Sequence, residues 1–199
     1  MNQYFDTPIG PAQHRQITAR IWGREHTFVT AAGVFSGFRL DPGTAVLFDK
    51  ATPASTASTL LDLGCGYGPI TVALANKLPE AFVYAIDVNE RALELAQSNV
   101  ALAGVAQRVQ VSFPVAVPSD ISFDEIWSNP PIRVGKEALH TLLLTWLPRL
   151  TPHGSAYLVV GKNLGADSLH SWLVVQGYFV ERLGSAKGFR VLRVNKGLE

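Results

Sequence analysis

The stretch Leu60-Leu61-Asp62-Leu63-Gly64-Cys65-Gly66-Tyr67-Gly68 constrains the fold more than any other part of this 199-residue chain. Its apolar start reads as a buried strand. Three alternate glycines then allow a tight turn and a close approach of backbone to a ligand. Pro69 follows, and proline suits the first position of a helix, where its missing N–H would be unpaired anyway. Ile70-Thr71-Val72-Ala73-Leu74-Ala75 begins that helix. Strand, glycine loop and helix together are half of a nucleotide-binding crevice. An ordinary strand-to-helix turn has the same outline, so the loop alone does not decide. Pro69 stands where a dinucleotide fingerprint needs its third glycine, and no lysine follows as in a phosphate-binding P-loop. The glycines run G-x-G-x-G behind Asp62, a form suited to close backbone approach rather than to holding a pyrophosphate.

From Thr59 onward the pattern alternates strand and helix, which predicts a mostly parallel sheet with helices on both faces. Strands are expected at 60–63, 82–86, 109–111, 123–127 and 156–160. Helices are expected at 69–78, 90–102, 135–147 and 167–176. Asn89 is placed to cap the second of these helices and Gly104 to close it. The chain ends in two strands, 179–183 and 189–194, joined by a turn at 184–188. That hairpin puts one strand antiparallel at or near an edge. The expectation is therefore a Rossmann-like α/β fold with a seven-stranded, mostly parallel sheet. Before it, strands at 16–22 and 26–30 around Gly23-Arg24 form a small hairpin extension. A glycine-rich segment with Phe35, Phe38, Arg39 and Asp41 follows, then a short helix at 43–50. Residues 1–50 read as an extension and loop segment of the same domain, and residues 51–199 as its body.

Composition narrows the class. The chain is 47% hydrophobic and 17% charged, as a globular chain is, and its formal net charge is +1. Overall charge thus gives no nucleic-acid signature, although a local patch suffices for RNA. The single cysteine, Cys65, excludes an internal disulfide and suits a reducing compartment. It reads as a small loop residue before it reads as a nucleophile. The N-terminus has no basic start or apolar run, and no stretch approaches the ~20 apolar residues of a membrane span, so a cytoplasmic protein is expected. His14, His26, His140, His153 and His170 show no metal-ligand spacing and read as surface or loop residues.

Two further sites carry chemistry. Asp87 ends the second strand, where a carboxylate accepts hydrogen bonds from ribose hydroxyls, with Val88 beside it. An acid there also suits a helix cap. Asn129-Pro130-Pro131-Ile132 lies at the end of the fourth strand, on the edge where open sheets bind ligands. Two prolines fix the backbone and remove two donors, leaving acceptors: the Asn129 amide oxygen and the Pro130 carbonyl. Together these match the two N–H donors of an exocyclic amino group. The alternative is a rigid turn.

The combination resembles the N-P-P-type class I methyltransferases that use S-adenosylmethionine. Within them it is similar to the catalytic domain of the C-type small-subunit ribosomal RNA guanine methyltransferases. The residues that carry the resemblance are Phe35-Ser36 through Leu40-Asp41-Pro42-Gly43-Thr44, the loop from Asp62 to Gly68, Asp87, and Phe123 through Ile132. It covers residues 28–195. The resemblance implies S-adenosylmethionine as cofactor, held by Asp62, Gly64, Cys65, Gly66, Gly68, Asp87, Val88 and Asn129. Ser112 stands where relatives place an acid for the adenine. It implies catalysis by Asn129, Pro130, Pro131 and Ile132, the last where an aromatic residue is usual. Phe35 or Phe38 would supply the missing ring, and Arg39, Arg133, Lys136 and Lys162 would meet phosphates. The expected partner is ribosomal RNA or the small ribosomal subunit, with no metal and no membrane. The best-known members carry a second, degenerate domain, expected to help the catalytic unit fold or find its RNA, which these residues do not include. A protein glutamine or an adenine amino group fits the same motif. A noncatalytic cofactor- or RNA-binding assembly module is the reading from another class.

Overall fold

The structure is a computed structural model, and it describes residues 14–31, 39–130 and 135–197. Two antiparallel strands come first, β1 (His14–Ile21) and β2 (Arg24–Ala31). Helix α1 (Pro42–Lys50) follows, then β3 (Thr59–Leu63), α2 (Pro69–Lys77), β4 (Phe82–Ile86) and α3 (Glu90–Leu102). The second half runs β5 (Val109–Ser112), β6 (Phe123–Ser128), α4 (Lys136–Trp146), β7 (Leu150–Gly161), α5 (Ala166–Val175), β8 (Tyr178–Ala186) and β9 (Phe189–Lys196). The seven-stranded sheet has the order β5-β4-β3-β6-β7-β9-β8. Neighbours from β5 to β7 are parallel, and β9 is antiparallel to both β7 and β8. This is the Rossmann-like sheet the alternation predicts, with its reversal at β9, one strand in from the edge.

Strand pleating sorts the core into two layers. Leu60, Val83, Trp127 and Val159 face one cluster with α1, α2 and α3. Leu61, Ile86, Ile126 and Leu158 face the other with α4 and α5. Trp127, Phe123, Leu60 and Leu61 are fully buried, each such side chain contributing about 1.5–3 kcal/mol relative to exposure.

The N-terminal hairpin is fastened to the first layer. Its two-residue turn is Trp22-Gly23, both at positive φ (46° and 85°), one residue earlier than expected. The Trp22 indole N–H donates to the Phe48 and Ala51 carbonyls, each at 3.1 Å, and so closes the C-terminal end of α1. The buried Asn99 side chain of α3 accepts from the Val29 N–H (2.7 Å) and donates to the Val29 carbonyl (2.8 Å). The same amide donates to the Tyr67 carbonyl in the glycine loop at 2.8 Å.

Three expectations need correction. The strand expected at 156–160 begins at Leu150. Pro152 and Gly154 fall between Leu150 and Ser155, where the register of β6 and β7 shifts. A Cβ on Gly154 would meet the Phe123 carbonyl oxygen at 2.8 Å, so glycine there permits close backbone approach. The last turn is also tighter than 184–188, because β8 continues to Ala186 through an irregularity at Arg182/Gly184. Finally, His26 is neither a surface nor a loop residue. It is buried in β2, stacked on Phe28, and burial lowers its pKa.

Candidate functional site

The glycine loop leaves β3 at its C-terminal end. Gly64, Gly66 and Gly68 have φ of 78°, 56° and 87°. The Gly64 and Cys65 N–H groups both donate to the Ile86 carbonyl at 2.9 Å, which ties the loop to the end of β4. At Gly66 no described residue lies within 4 Å of where a Cβ would stand. Gly68 has a different reason to be glycine: a Cβ there would sit 3.3 Å from Ala96 Cβ, where α2 and α3 meet.

Asp62 lies beneath the loop rather than along its open side. It is fully buried, and its Oδ2 accepts from the Thr71 N–H (2.9 Å) and hydroxyl (2.5 Å). Its Oδ1 has no partner among the described residues. Burial pushes this carboxyl up to about 7, against the pull of the Thr71 bonds and with a further push from Asp87. Asp87 lies at the end of β4. One carboxylate oxygen accepts from the Gly66 N–H and the other from the Asn89 N–H, each at 2.9 Å. Burial raises its pKa and these donors lower it. Each oxygen retains a lone pair for a ligand hydroxyl. The helix cap itself is Asn89, whose side chain accepts from the Ala92 N–H.

Beside Asp87, β5 brings Ser112 opposite Ile86 in register. The Ser112 hydroxyl is buried without a partner among the described residues. Val88 and Phe113 are exposed there.

A solvent-open cleft runs from the glycine loop to Asn129. Gly64, Cys65, Gly66, Tyr67 and Asn129 line it, and so do Asp41 and Thr44 from the start of α1. The Asn129 amide nitrogen donates to Asp41 Oδ1 at 2.7 Å and to Thr44 Oγ1 at 3.0 Å. Asp41 Oδ1 also accepts from the Gly43 and Thr44 N–H groups, at 2.7 and 3.0 Å. Behind Asn129, the Ser128 hydroxyl donates to the Leu63 carbonyl at 2.6 Å and pins the end of β6 to β3. Tyr67 also lines the cleft. Its buried hydroxyl has no partner among the described residues, and burial, with the nearby Asp41 carboxylate, raises its pKa. The Cys65 side chain is buried, and burial likewise pushes its thiol up. A thiol so held is not an activated nucleophile.

The other expected residues fall elsewhere. Arg39 is exposed just before α1. Lys136 begins α4 and borders a second, solvent-open cleft between α4 and α5. Lys162 follows β7, its N–H donating to the Gly188 carbonyl at 2.7 Å. All three stand at the end of the sheet that carries the glycine loop. Pro130 is buried at the end of β6. Phe35, Phe38, Pro131, Ile132 and Arg133 lie outside the described residues. Among the described residues no group of His, Cys, Asp and Glu could hold a metal ion, and no helix is long and apolar enough to cross a membrane.

The chemistry of the cleft fits the cofactor that the sequence resemblance implies. Among the described residues the loop leaves open space above Gly66 and the buried Tyr67 and Ser112 hydroxyls have no partner, while Asp87 offers acceptors for hydroxyls. Sequence reasoning did not assign Asp41, Thr44 or Tyr67 to the site. The available signal was the Asp41-Pro42 pair, an N-cap before a first-turn proline.

Such a sheet, with its ligand cleft between the first parallel strand and an Asn-Pro-Pro end, is a methyltransferase architecture. The chain belongs to the methyltransferase small domain family, which matches residues 25–193. It is 31% identical to the Bacillus subtilis (strain 168) protein YbxB over 195 residues, 97% of each chain. It is 37% identical over 131 residues to the ribosomal RNA small subunit methyltransferase C of Aeromonas hydrophila, covering 65% of this chain and 37% of that one. Among solved structures it resembles the T. thermophilus 16S rRNA N2 methyltransferase RsmC in complex with AdoMet and guanosine. That match has a TM-score of 0.76 at 25% identity, over 95% of this chain and 52% of the other. The chain thus spans about half or less of the RNA methyltransferases it matches.

Proposed function

We propose that this protein transfers a methyl group from S-adenosylmethionine to the exocyclic amino nitrogen of a guanine in small-subunit ribosomal RNA. The carrying observation is the orientation of Asn129. Its amide nitrogen is taken up by Asp41 and Thr44, which leaves the amide oxygen as its acceptor in the cleft shared with the glycine loop. The names of the relatives, and the cofactor and guanosine named for the T. thermophilus enzyme, support the choice of donor and substrate.

Bound there, the cofactor supplies an electrophilic methyl group on a sulfonium sulfur. The glycine loop and Asp87 would hold it by backbone approach and hydroxyl acceptance. Asn129 Oδ1 and the Pro130 carbonyl would accept the two N–H groups of the target amine. That draws the nitrogen lone pair out of conjugation with the ring and aims it at the methyl. With the cofactor bound, the amine held by Asn129 and Pro130 would take the methyl as its bond to sulfur breaks, and the extra proton would then pass to solvent. No strong base is required, so catalysis is mainly orientation and the acceptance of growing positive charge. Arg39, Lys136 and Lys162 would meet RNA phosphates at the rim, with binding that weakens as salt rises.

The test is labelled methyl transfer to small ribosomal subunits and to naked ribosomal RNA, followed by nucleoside analysis. The expected product is N2-methylguanosine, with Asn129→Ala lowering the rate at least 100-fold. Label in adenine or in protein glutamine would replace the substrate. Full activity of Asn129→Ala would overturn the mechanism.

A further inference from the structure

Asn129 is presented by a helix cap. Asp41 Oδ1 accepts three N–H donors at once: two from the first turn of α1 and one from the Asn129 amide. Thr44 Oγ1, one turn into the same helix, accepts from the same amide nitrogen. Turning the amide over would set its oxygen against a carboxylate oxygen that has no hydrogen to offer; the Thr44 hydroxyl could meet either orientation, so it is the Asp41 contact that enforces one. The carboxylate also makes the Asp41 contact a charge-assisted hydrogen bond.

We infer that Asp41 is a positioning residue for methyl transfer: through its hydrogen bond to the Asn129 amide nitrogen, it holds the amide oxygen toward the target amino group. This deepens the reading of Asn129 as the acceptor of that amine, and it rests on that reading. Asp41 thereby couples two parts of the site that meet only in the folded chain. The start of α1 and the end of β6 become one rigid unit, and the pyramidal amine is met by an oxygen whose rotamer is already chosen. A preset rotamer raises turnover more than it raises affinity, because the oxygen's orientation matters most once the amine nitrogen begins to bond to the methyl.

The test separates this role from helix capping. Serine is a good N-cap, so Asp41→Ser keeps a side-chain oxygen for the start of α1 while removing the carboxylate that reaches Asn129. At saturating cofactor and with native thermal unfolding, it is expected to lower kcat at least 10-fold, with KM for RNA changed less than 3-fold. The decisive readout is a swap. Asn129→Asp alone sets two carboxylates together and is expected to be nearly inactive. Adding Asp41→Asn removes the facing carboxylate and supplies an amide donor to the residue-129 carboxylate, at the expense of the cap that the same oxygen served. The double variant is expected to recover at least 10-fold over Asn129→Asp. A merely structural Asp41 would give no recovery. If Asn129→Ala is inactive while Asp41→Ser keeps its kcat and the swap recovers nothing, the positioning role is wrong and the reading of Asn129 stands. If Asn129→Ala is itself fully active, it is that reading that fails.

Discussion

Replacing Asp62 by asparagine should change how stability depends on pH. The carboxyl is fully buried, bonded through Oδ2 to Thr71 and unpartnered at Oδ1 among the described residues. Desolvation outweighs the two Thr71 bonds and moves the group from 3.8 to about 7. Between those values the native protein holds a proton that the unfolded chain has released. The native state therefore binds more protons, and stability falls as pH rises. The contribution is fully present below about pH 4 and is lost by the time pH has passed 7. A shift from 3.8 to about 7 corresponds to about 4 kcal/mol at 1.36 kcal/mol per pH unit. Asparagine keeps an oxygen for Thr71 and does not titrate. The assay is urea unfolding of both proteins from pH 4.5 to 7.5 at constant ionic strength. Asp87 and Glu125, also raised, and His26, lowered, titrate in both proteins and largely cancel in the difference. The wild type should lose about 3 kcal/mol relative to Asp62→Asn across that range. Parallel stability curves would refute the argument, since they would mean that Asp62 titrates alike in the folded and unfolded chains.

Asn99→Ala should destabilise the protein by about 3 kcal/mol, because it strands three backbone groups, two on Val29 and one on Tyr67, at about 1 kcal/mol each. Urea unfolding measures the loss and hydrogen exchange should show the Val29 amide deprotected; a change below 0.5 kcal/mol would mean the hairpin and loop do not depend on this clasp. Gly68→Ala should cost more than Gly23→Ala. Both positions have positive φ, worth about 1–2 kcal/mol against alanine, but only at Gly68 does the new Cβ press on α3. Thermal unfolding of the pair checks this, and the reverse ranking would rule the contact out.

The parallel sheet was legible because its signals are local. Val83, Ala85 and their neighbours form short apolar runs ended by Asp87, and α3 carries a cap residue at Asn89. The part that escaped is the start of β7. Pro152 and Gly154 carry the usual marks of a loop, and only the Phe123 carbonyl, brought in by the neighbouring strand, explains why Gly154 belongs in the sheet. His26 escaped for a related reason. Its strand is half polar, and nothing near it in sequence reveals that α2 and α3 cover one face; Asn76 of α2 lies 3.5 Å from its ring.

The site divides along the same line. The glycine loop, Asp87 and Asn129 each end a strand of the parallel sheet, so chain order and strand order together bring them to one edge. Asp41 is different. Read locally, Asp-Pro-Gly-Thr is a helix start and nothing more, and the capping bonds to Gly43 and Thr44 agree. What makes it part of the site is a partner 88 residues away, chosen because β6 lies beside β3 and the start of α1 lands over their ends. The capping oxygen of Asp41 already takes two donors from α1. The fold sets the same oxygen against the side chain whose orientation the proposed chemistry needs. A cap chosen for stability alone would tolerate serine, threonine or asparagine equally. A cap that must also hold an amide nitrogen from another strand would not, and that difference is open to direct measurement.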